Sequence, residues 1–191
     1  MGSLTDAIYG RRAVRAYRDQ AVSREDLDTL IESAIQAPSA VNVQPWRFVV
    51  VQDAERLDRY AADAKSLLLA EPPAPEVAAS GLPDLDRLRR MIAEPGYALF
   101  HGAPTLVVIY ATTAAGVPDC YLAAQNLMLA AWDRGLGTCP IGLAKPLFDR
   151  AEVKAELQIP SDWVAALPLV VGHPAGPTPP VLRHPPVVHW W

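Results

Sequence analysis

"RRAVRAYRDQAVSREDLDTLIESAIQAPSAVNVQPWRFVVV", residues 11–51, passes from an arginine-rich segment through a helix and a polar turn into an apolar strand. The helix is carried by "SREDLDTLIESAIQA". Ser23 stands at its N-cap, with Asp26 three residues on, where a capping box has its partner. Leu27, Leu30, Ile31 and Ala34 then recur at i, i+3, i+4 and i+7, which places them on one face. Pro38 stops the helix. "WRFVVVQ" is rich in β-branched and aromatic residues and reads as a strand. Between them, Ser39, Asn42 and Gln44 lie in a turn framed by Pro38 and Pro45. Strands and helices alternate in this way along the chain, which gives an α/β or α+β sandwich.

Outward from this stretch, residues 3–10 read as a short helix with Ser3 or Thr5 as its cap. "DAERLDRYAADAKSLLLA" is helical and runs into "EPPAPEVAASGLPD", residues 71–84, a loop or mobile lid. "PDLDRLRRMIAE" is a short charged helix. "APTLVVIYATT" is a second strand and "VAALPLVVGHP" a third. "DCYLAAQNLMLAAWDRGLG" is a helix with Asp119 near its start and Gly135 and Gly137 at its end. It is apolar almost all round, so it needs cover on several sides. The last stretch, "AGPTPPVLRHPPVVHWW", holds too many prolines for a helix and is expected to run extended. Val187, Val188, Trp190 and Trp191 are costly to expose, and a partner subunit is the natural cover.

With 191 residues, of which 51% are hydrophobic and 20% charged, the chain suits one domain with an ample core. Its formal net charge of -4 argues against a nucleic-acid partner. The two cysteines, Cys120 and Cys139, have no metal-ligand spacing and read as free thiols. Scarce cysteine fits a reducing cytoplasm. The N-terminus has no secretory apolar region, and no apolar stretch is long enough to span a bilayer. The expectation is a cytoplasmic protein with no membrane partner.

Four segments carry possible chemistry. Arg11, Arg12 and Arg15 cluster in an otherwise acidic chain. On a helical turn Arg11 and Arg15 point the same way. Arginine forks match phosphate oxygens, so the cluster either holds a phosphate or is a solvated, salt-bridged face. Ser39, Asn42 and Gln44 either satisfy the turn or supply donors and acceptors to a neutral polar ligand. "GLGTCPIG", residues 135–142, is either a helix C-cap and loop or a place where backbone approaches a flat ligand. It follows a helix and is not GxGxxG, which makes it a poor dinucleotide fingerprint. Arg183 stands in the proline-rich tail, by default a surface arginine. The four histidines have no metal spacing, and no GxSxG elbow or P-loop is present. With binding groups but no nucleophile or acid–base pair, the chain points to a cofactor that carries the chemistry.

In order and spacing these segments resemble the nitroreductase family of FMN-dependent oxidoreductases. Residues 11–51 resemble its N-terminal signature, "HGAPTLVVIYA" its middle strand, "DCYLAAQNLMLAAWDRGLGTCPIG" its central helix and flavin loop, and "LVVGHPAGPTPPVLRHP" its late strand and C-terminal arm. The resemblance implies an α+β, three-layer fold: a central, mostly antiparallel sheet flanked by helices, in an intertwined homodimer. It implies one domain over 1–191, with an extended arm over 174–191. Two FMN sites would lie at the interface. Arg11 and Arg12, joined by Arg183, would hold the phosphate. Arg15 would lie nearer the ribityl chain and the N1/O2 edge. Ala13 stands where the family often has Ser, and its backbone N–H remains as a donor. Pro38, Ser39 and Asn42 would approach from the partner subunit, with Gln44 behind them or on the ring. Pro140, Ile141 and Gly142 would lie against the ring. The implied reaction is ping-pong: NADH or NADPH gives hydride through flavin N5, and a nitroaromatic, a quinone or a related small acceptor takes it. Other reactions on the same fold are dehalogenation, dehydrogenation and flavin breakdown. A flavin-binding dimer without turnover is a further alternative.

Overall fold

The computed structural model describes residues 3–70 and 85–191; the expected loop at 71–84 lies outside the described residues. Helix α1 is Leu4–Gly10, and α2 is Arg24–Ala34. Strand β1 is Trp46–Val51, α3 is Ala54–Ala70 and α4 is Leu85–Ala93. Then come β2 Thr105–Ala111, α5 Val117–Asp133 and β3 Gly137–Pro140. The short helices α6 Lys145–Phe148 and α7 Ala151–Glu156 lead into β4 Val164–Gly172. The strands form one antiparallel sheet in the order β1-β2-β4-β3.

Alternation along β2 explains the layers. Val107, Ile109 and Ala111 face one core, shared with Leu27 and Leu30 of α2 and Cys120, Ala124 and Leu127 of α5. Leu106, Val108 and Tyr110 face the other, shared with Leu57 and Tyr60 of α3, Leu147 and Phe148 of α6, and Val153 of α7. Successive side chains of a strand point to opposite faces, so a strand buried on both reads as a continuous apolar run. That is why "TLVVIYA" lacks polar alternation. The expected α+β architecture with flanking helices is therefore present.

Two local readings are corrected. The full capping box sits on α1, where Ser3 Oγ accepts from Asp6 N and Asp6 Oδ2 accepts from Ser3 N. At α2, Ser23 Oγ accepts from Asp26 N but also donates to Asp26 Oδ2 at 2.7 Å. The aspartate is thereby held by the hydroxyl, and its other oxygen accepts from Arg134 Nε at 2.8 Å, tying α2 to the end of α5. Secondly, "GLGT" does not only end a helix. Gly137–Pro140 is a fourth strand, an edge strand paired with β4.

The Ser23 and Arg134 bonds hold the Asp26 carboxyl below its ordinary value. A lowered folded-state pKa stabilises the fold above the unfolded value of about 3.9, and that stability is lost as pH falls through the lowered value. Asp26→Asn should therefore lower the urea midpoint at neutral pH. The gap between variant and wild type should close in acid, and a constant gap would disprove the linkage.

Candidate functional site

Helix α1 ends because the Arg11 N–H closes onto Ala7 O at 2.9 Å while Arg11 itself turns to extended backbone, φ -58° and ψ 133°. The Arg11–Arg15 segment is therefore extended, not the helical turn that the i, i+4 spacing suggested. Val14 N–H donates to Thr138 O at 3.0 Å and Arg18 N–H to His173 O at 2.9 Å. Bridges pair Ala13 with Thr138 and Tyr17 with Pro174. Tertiary pairing thus overrides the local reading. Ala13 and Tyr17 pack against the core that contains Cys139, and the Arg15 charge acts on Cys139, Tyr97 and His101 at that same core. Because Val14 N–H bonds β3, the N–H of Ala13 is directed away from β3.

Close packing fixes the other end of this segment. A Cβ on Gly10 would meet Trp132 Cζ2 at 2.5 Å, and one on Gly137 would meet Val14 Cγ2 at 2.6 Å. Here a cavity of about 240 Å³ opens, lined by Gly10, Arg11, Arg12, Trp132, Thr138 and Gly176 among others. Arg12 donates to Tyr9 O at 2.6 Å and Arg11 O at 2.8 Å. Arg11 Nε is buried and has no hydrogen-bond partner among the described residues, and the same holds for Thr138 Oγ1. Burial, then the like charges of Arg183 and Arg12, push the Arg11 pKa down. Arg12 and Arg183 therefore both stand within electrostatic reach of Arg11, whose Nε–H is unpaired among the described residues. Such a cluster suits an anion.

The β3 loop continues from this wall. Ile141 N–H donates to Pro168 O at 2.8 Å. A Cβ at Gly142 would have nothing within 4 Å, so a ligand can approach the backbone there. Arg11, Arg12, Ala13, Arg15 and Pro140–Gly142 are thus gathered around β3, beside the C-terminal end of α5.

Residues 38–44 lie elsewhere. Ser39 Oγ accepts from Gln44 N at 2.9 Å, and Gln44 Nε2 donates to Asn42 Oδ1 at 3.0 Å. Ala40 N donates to Asp119 Oδ2 at 3.2 Å, and Pro45 packs so closely on Gly116 that a Cβ there would meet it at 2.6 Å. Val41, Asn42 and Gln44 all have positive φ, 43°, 59° and 51°. For β-branched Val41 this is a true outlier, and such strain gathers at functional sites. Val41 is 94% exposed. This turn is fastened to the N-terminal end of α5, whose seventeen residues put it about 24 Å from the arginine end. Within one chain the two groups of site residues are not brought together.

Sequence reading missed Trp132 and Thr138, whose roles depend on contacts with Gly10 and Ala13. It also gives no role to Tyr97 and His101, although His101 opens the segment "HGAPTLVVIYA". Among the described residues no group of three His, Cys, Asp or Glu side chains is set to hold a metal, and no helix is long and apolar enough to cross a membrane.

The profile of the "Nitroreductase family" matches residues 8–173. The chain belongs to the nitroreductase family. The matched region begins in α1 and ends just past β4, so it includes every candidate residue except Arg183. Nitroreductase NfnB of Mycolicibacterium smegmatis is 34% identical over 178 residues, covering 80% of this chain and 75% of that protein. Iodotyrosine deiodinase of Thermotoga neapolitana is 29% identical and covers 100% of this chain and 98% of its own. Among solved structures, a nitroreductase with bound FMN from Desulfitobacterium hafniense DCB-2 superposes with a TM-score of 0.77 at 25% identity, covering 96% of this chain and 95% of that one.

Proposed function

We propose that this chain is an FMN-dependent oxidoreductase that uses NADH or NADPH to reduce nitroaromatic, quinone or related small acceptors, and that it works as a homodimer with FMN at the interface. The observation that carries the reading is the Arg11–Arg12–Arg183 cluster with its unpaired, buried Arg11 Nε. The phosphate of FMN supplies the missing charge and acceptor, so the residues present fit the cofactor. When bound, FMN supplies the redox chemistry, taking hydride from the nicotinamide and passing reducing equivalents to the acceptor.

The protein's part is binding and electrostatics. Arg11, Arg12 and Arg183 bind the phosphate, and the Ala13 N–H adds a neutral donor. Arg15 supplies positive charge along the same segment, favouring a ligand whose negative charge grows on reduction. Pro140 and Ile141 form an apolar backing, and Gly142 lets its N–H come close to a flat ring. No acid–base side chain is required.

Spacing and surface support the homodimer reading. Ser39, Asn42 and Gln44 lie at the opposite end of α5, a helix about 24 Å long, from Arg11 and Arg12, which favours a role at the site on a second copy. Leu4, Ile8 and Tyr9 of α1 and Tyr121 and Leu122 of α5 are exposed apolar residues suited to that contact. Complementation tests this. Arg11→Ala and Ser39→Ala/Asn42→Ala homodimers should each bind FMN weakly. Mixed dimers should regain one intact site, because one chain keeps its arginine and the other keeps its turn. Failure to regain FMN on mixing, with mixed dimers demonstrated, would place residues 38–44 outside the partner's site.

FMN titration of the apo-protein and anaerobic rapid mixing with NADH and NADPH test the overall reading. A protein that stays colourless after incubation with FMN would overturn it. One bound to FMN but reduced negligibly would be a flavin-binding dimer without turnover. Near-complete alignment with iodotyrosine deiodinase favours dehalogenation as the second reading, and turnover of halogenated phenols would establish it.

A further inference from the structure

We infer that Tyr97 and His101 form the acceptor-side wall of the proposed flavin site, selecting flat aromatic acceptors that carry an anionic or hydrogen-bond-accepting substituent. The inference rests on the FMN reading above and goes beyond it by naming a substrate-selecting pair.

Position comes first. The segment before β2 is built of tight turns: Tyr97 N–H donates to Glu94 O, His101 N–H to Ala98 O and Ala103 N–H to Phe100 O, all at 3.0 Å. Leu99, Phe100 and Ala103 anchor it in the core that also holds Cys139 and Ile141. Its far end is clamped to the arginine segment across Gly172, where a Cβ would meet Pro104 Cδ at 2.7 Å and Tyr17 Cδ1 at 2.8 Å. Ala13, Tyr17 and Tyr97 all pack against this one core. Arg15 is two residues from the clamped Tyr17, and its charge reaches both Tyr97 and His101.

Geometry and chemistry agree with a ligand wall. The two rings meet edge to face, with centroids 6.4 Å apart. Both are half-buried, so each keeps a surface for a third ring. His101 has φ 56° and Gly102 φ 68°, two left-handed residues in succession. Histidine is one of the few residues that tolerate this conformation, and a left-handed residue outside the core is consistent with a functional position. Burial and then the Arg15 charge lower the His101 pKa, while burial raises that of Tyr97. Both rings therefore stay neutral near pH 7. Arg15 supplies charge, the imidazole a hydrogen bond, and the pair an aromatic edge. A flat acceptor with a carboxylate, nitro or quinone oxygen matches that combination.

The test uses the full-length, FMN-loaded protein with p-nitrobenzoate and nitrobenzene as paired acceptors. His101→Asn is the main variant, because asparagine tolerates the left-handed backbone. Tyr97→Ala is the second. Each should raise KM for p-nitrobenzoate by about tenfold, the scale of one lost aromatic or polar contact. The FMN Kd should change by less than about twofold, well under that tenfold unit. Unchanged acceptor KM in both variants would overturn the inference. So would a loss of FMN affinity as large as the KM effect, since the pair would then contact the cofactor. If wild-type protein binds no FMN, the FMN reading itself has failed, which is a distinct result.

Discussion

Arg11→Ala should weaken FMN binding by about 1.5–3 kcal/mol, roughly ten- to 150-fold in Kd, because a charge-assisted bond to phosphate is lost. Arg183→Ala should act in the same direction and by a similar amount. The two arginines repel each other before the ligand arrives, since Arg183 is among the causes that lower the Arg11 pKa. Their effects are therefore expected to be non-additive. Fluorescence titration of apo-protein measures each Kd. Raising the salt concentration should weaken wild type more than either variant, since the cluster attracts the dianion through charge. Unchanged affinity in both variants would show that the arginines had been assigned wrongly.

Phe148→Ala should destabilise the fold by about 3–5 kcal/mol, the cost of emptying a fully buried aromatic position. Phe148 is 0% exposed and meets Tyr60 edge to face, with ring centroids 5.4 Å apart. Its carbonyl accepts from Tyr110 Oη at 3.1 Å, so α6 is tied by backbone as well as side chain to the middle of β2. That bond survives the substitution, which makes the result a measure of packing alone. For a chain of this size, each kcal/mol corresponds to about 2–4 °C, so the melting temperature should fall by roughly 6–20 °C. Urea denaturation should show a lower midpoint with little change in slope. A loss below about 1 kcal/mol would mean that the pocket collapses around the alanine.

Much of this architecture was legible in the sequence because the relevant forces are local or periodic. Leu27, Leu30 and Ala34 declare α2 by their spacing, and all three are buried. The continuous apolar runs of β2 and β4 announce central strands. Strand β3 was not legible. Four residues containing a glycine and a proline have no strand signature, and Gly137–Pro140 is held by partners distant in sequence. The extended path of residues 11–18 was hidden for the same reason: its N–H groups bond Thr138 and His173. Candidate site residues stand out in the sequence where residue type alone signals chemistry, as with the arginines and the amide-rich turn. They do not stand out where a residue matters by position. Thr138 becomes notable only through the Ala13 bridge, and His101 only through its backbone and its place within reach of the Arg15 charge. Nor could propensity reveal the left-handed Val41, since a β-branched residue is the last expected there.

In the proposed arrangement helix α5 is a spacer with half of a binding site at each end, and that has a consequence for mass action. In the proposed homodimer, cofactor retention and subunit association are two readings of one equilibrium. Dilution that separates the copies removes the turn at 38–44 from its neighbour's arginines and should release FMN. Added FMN should in turn drive the copies together by the same factor.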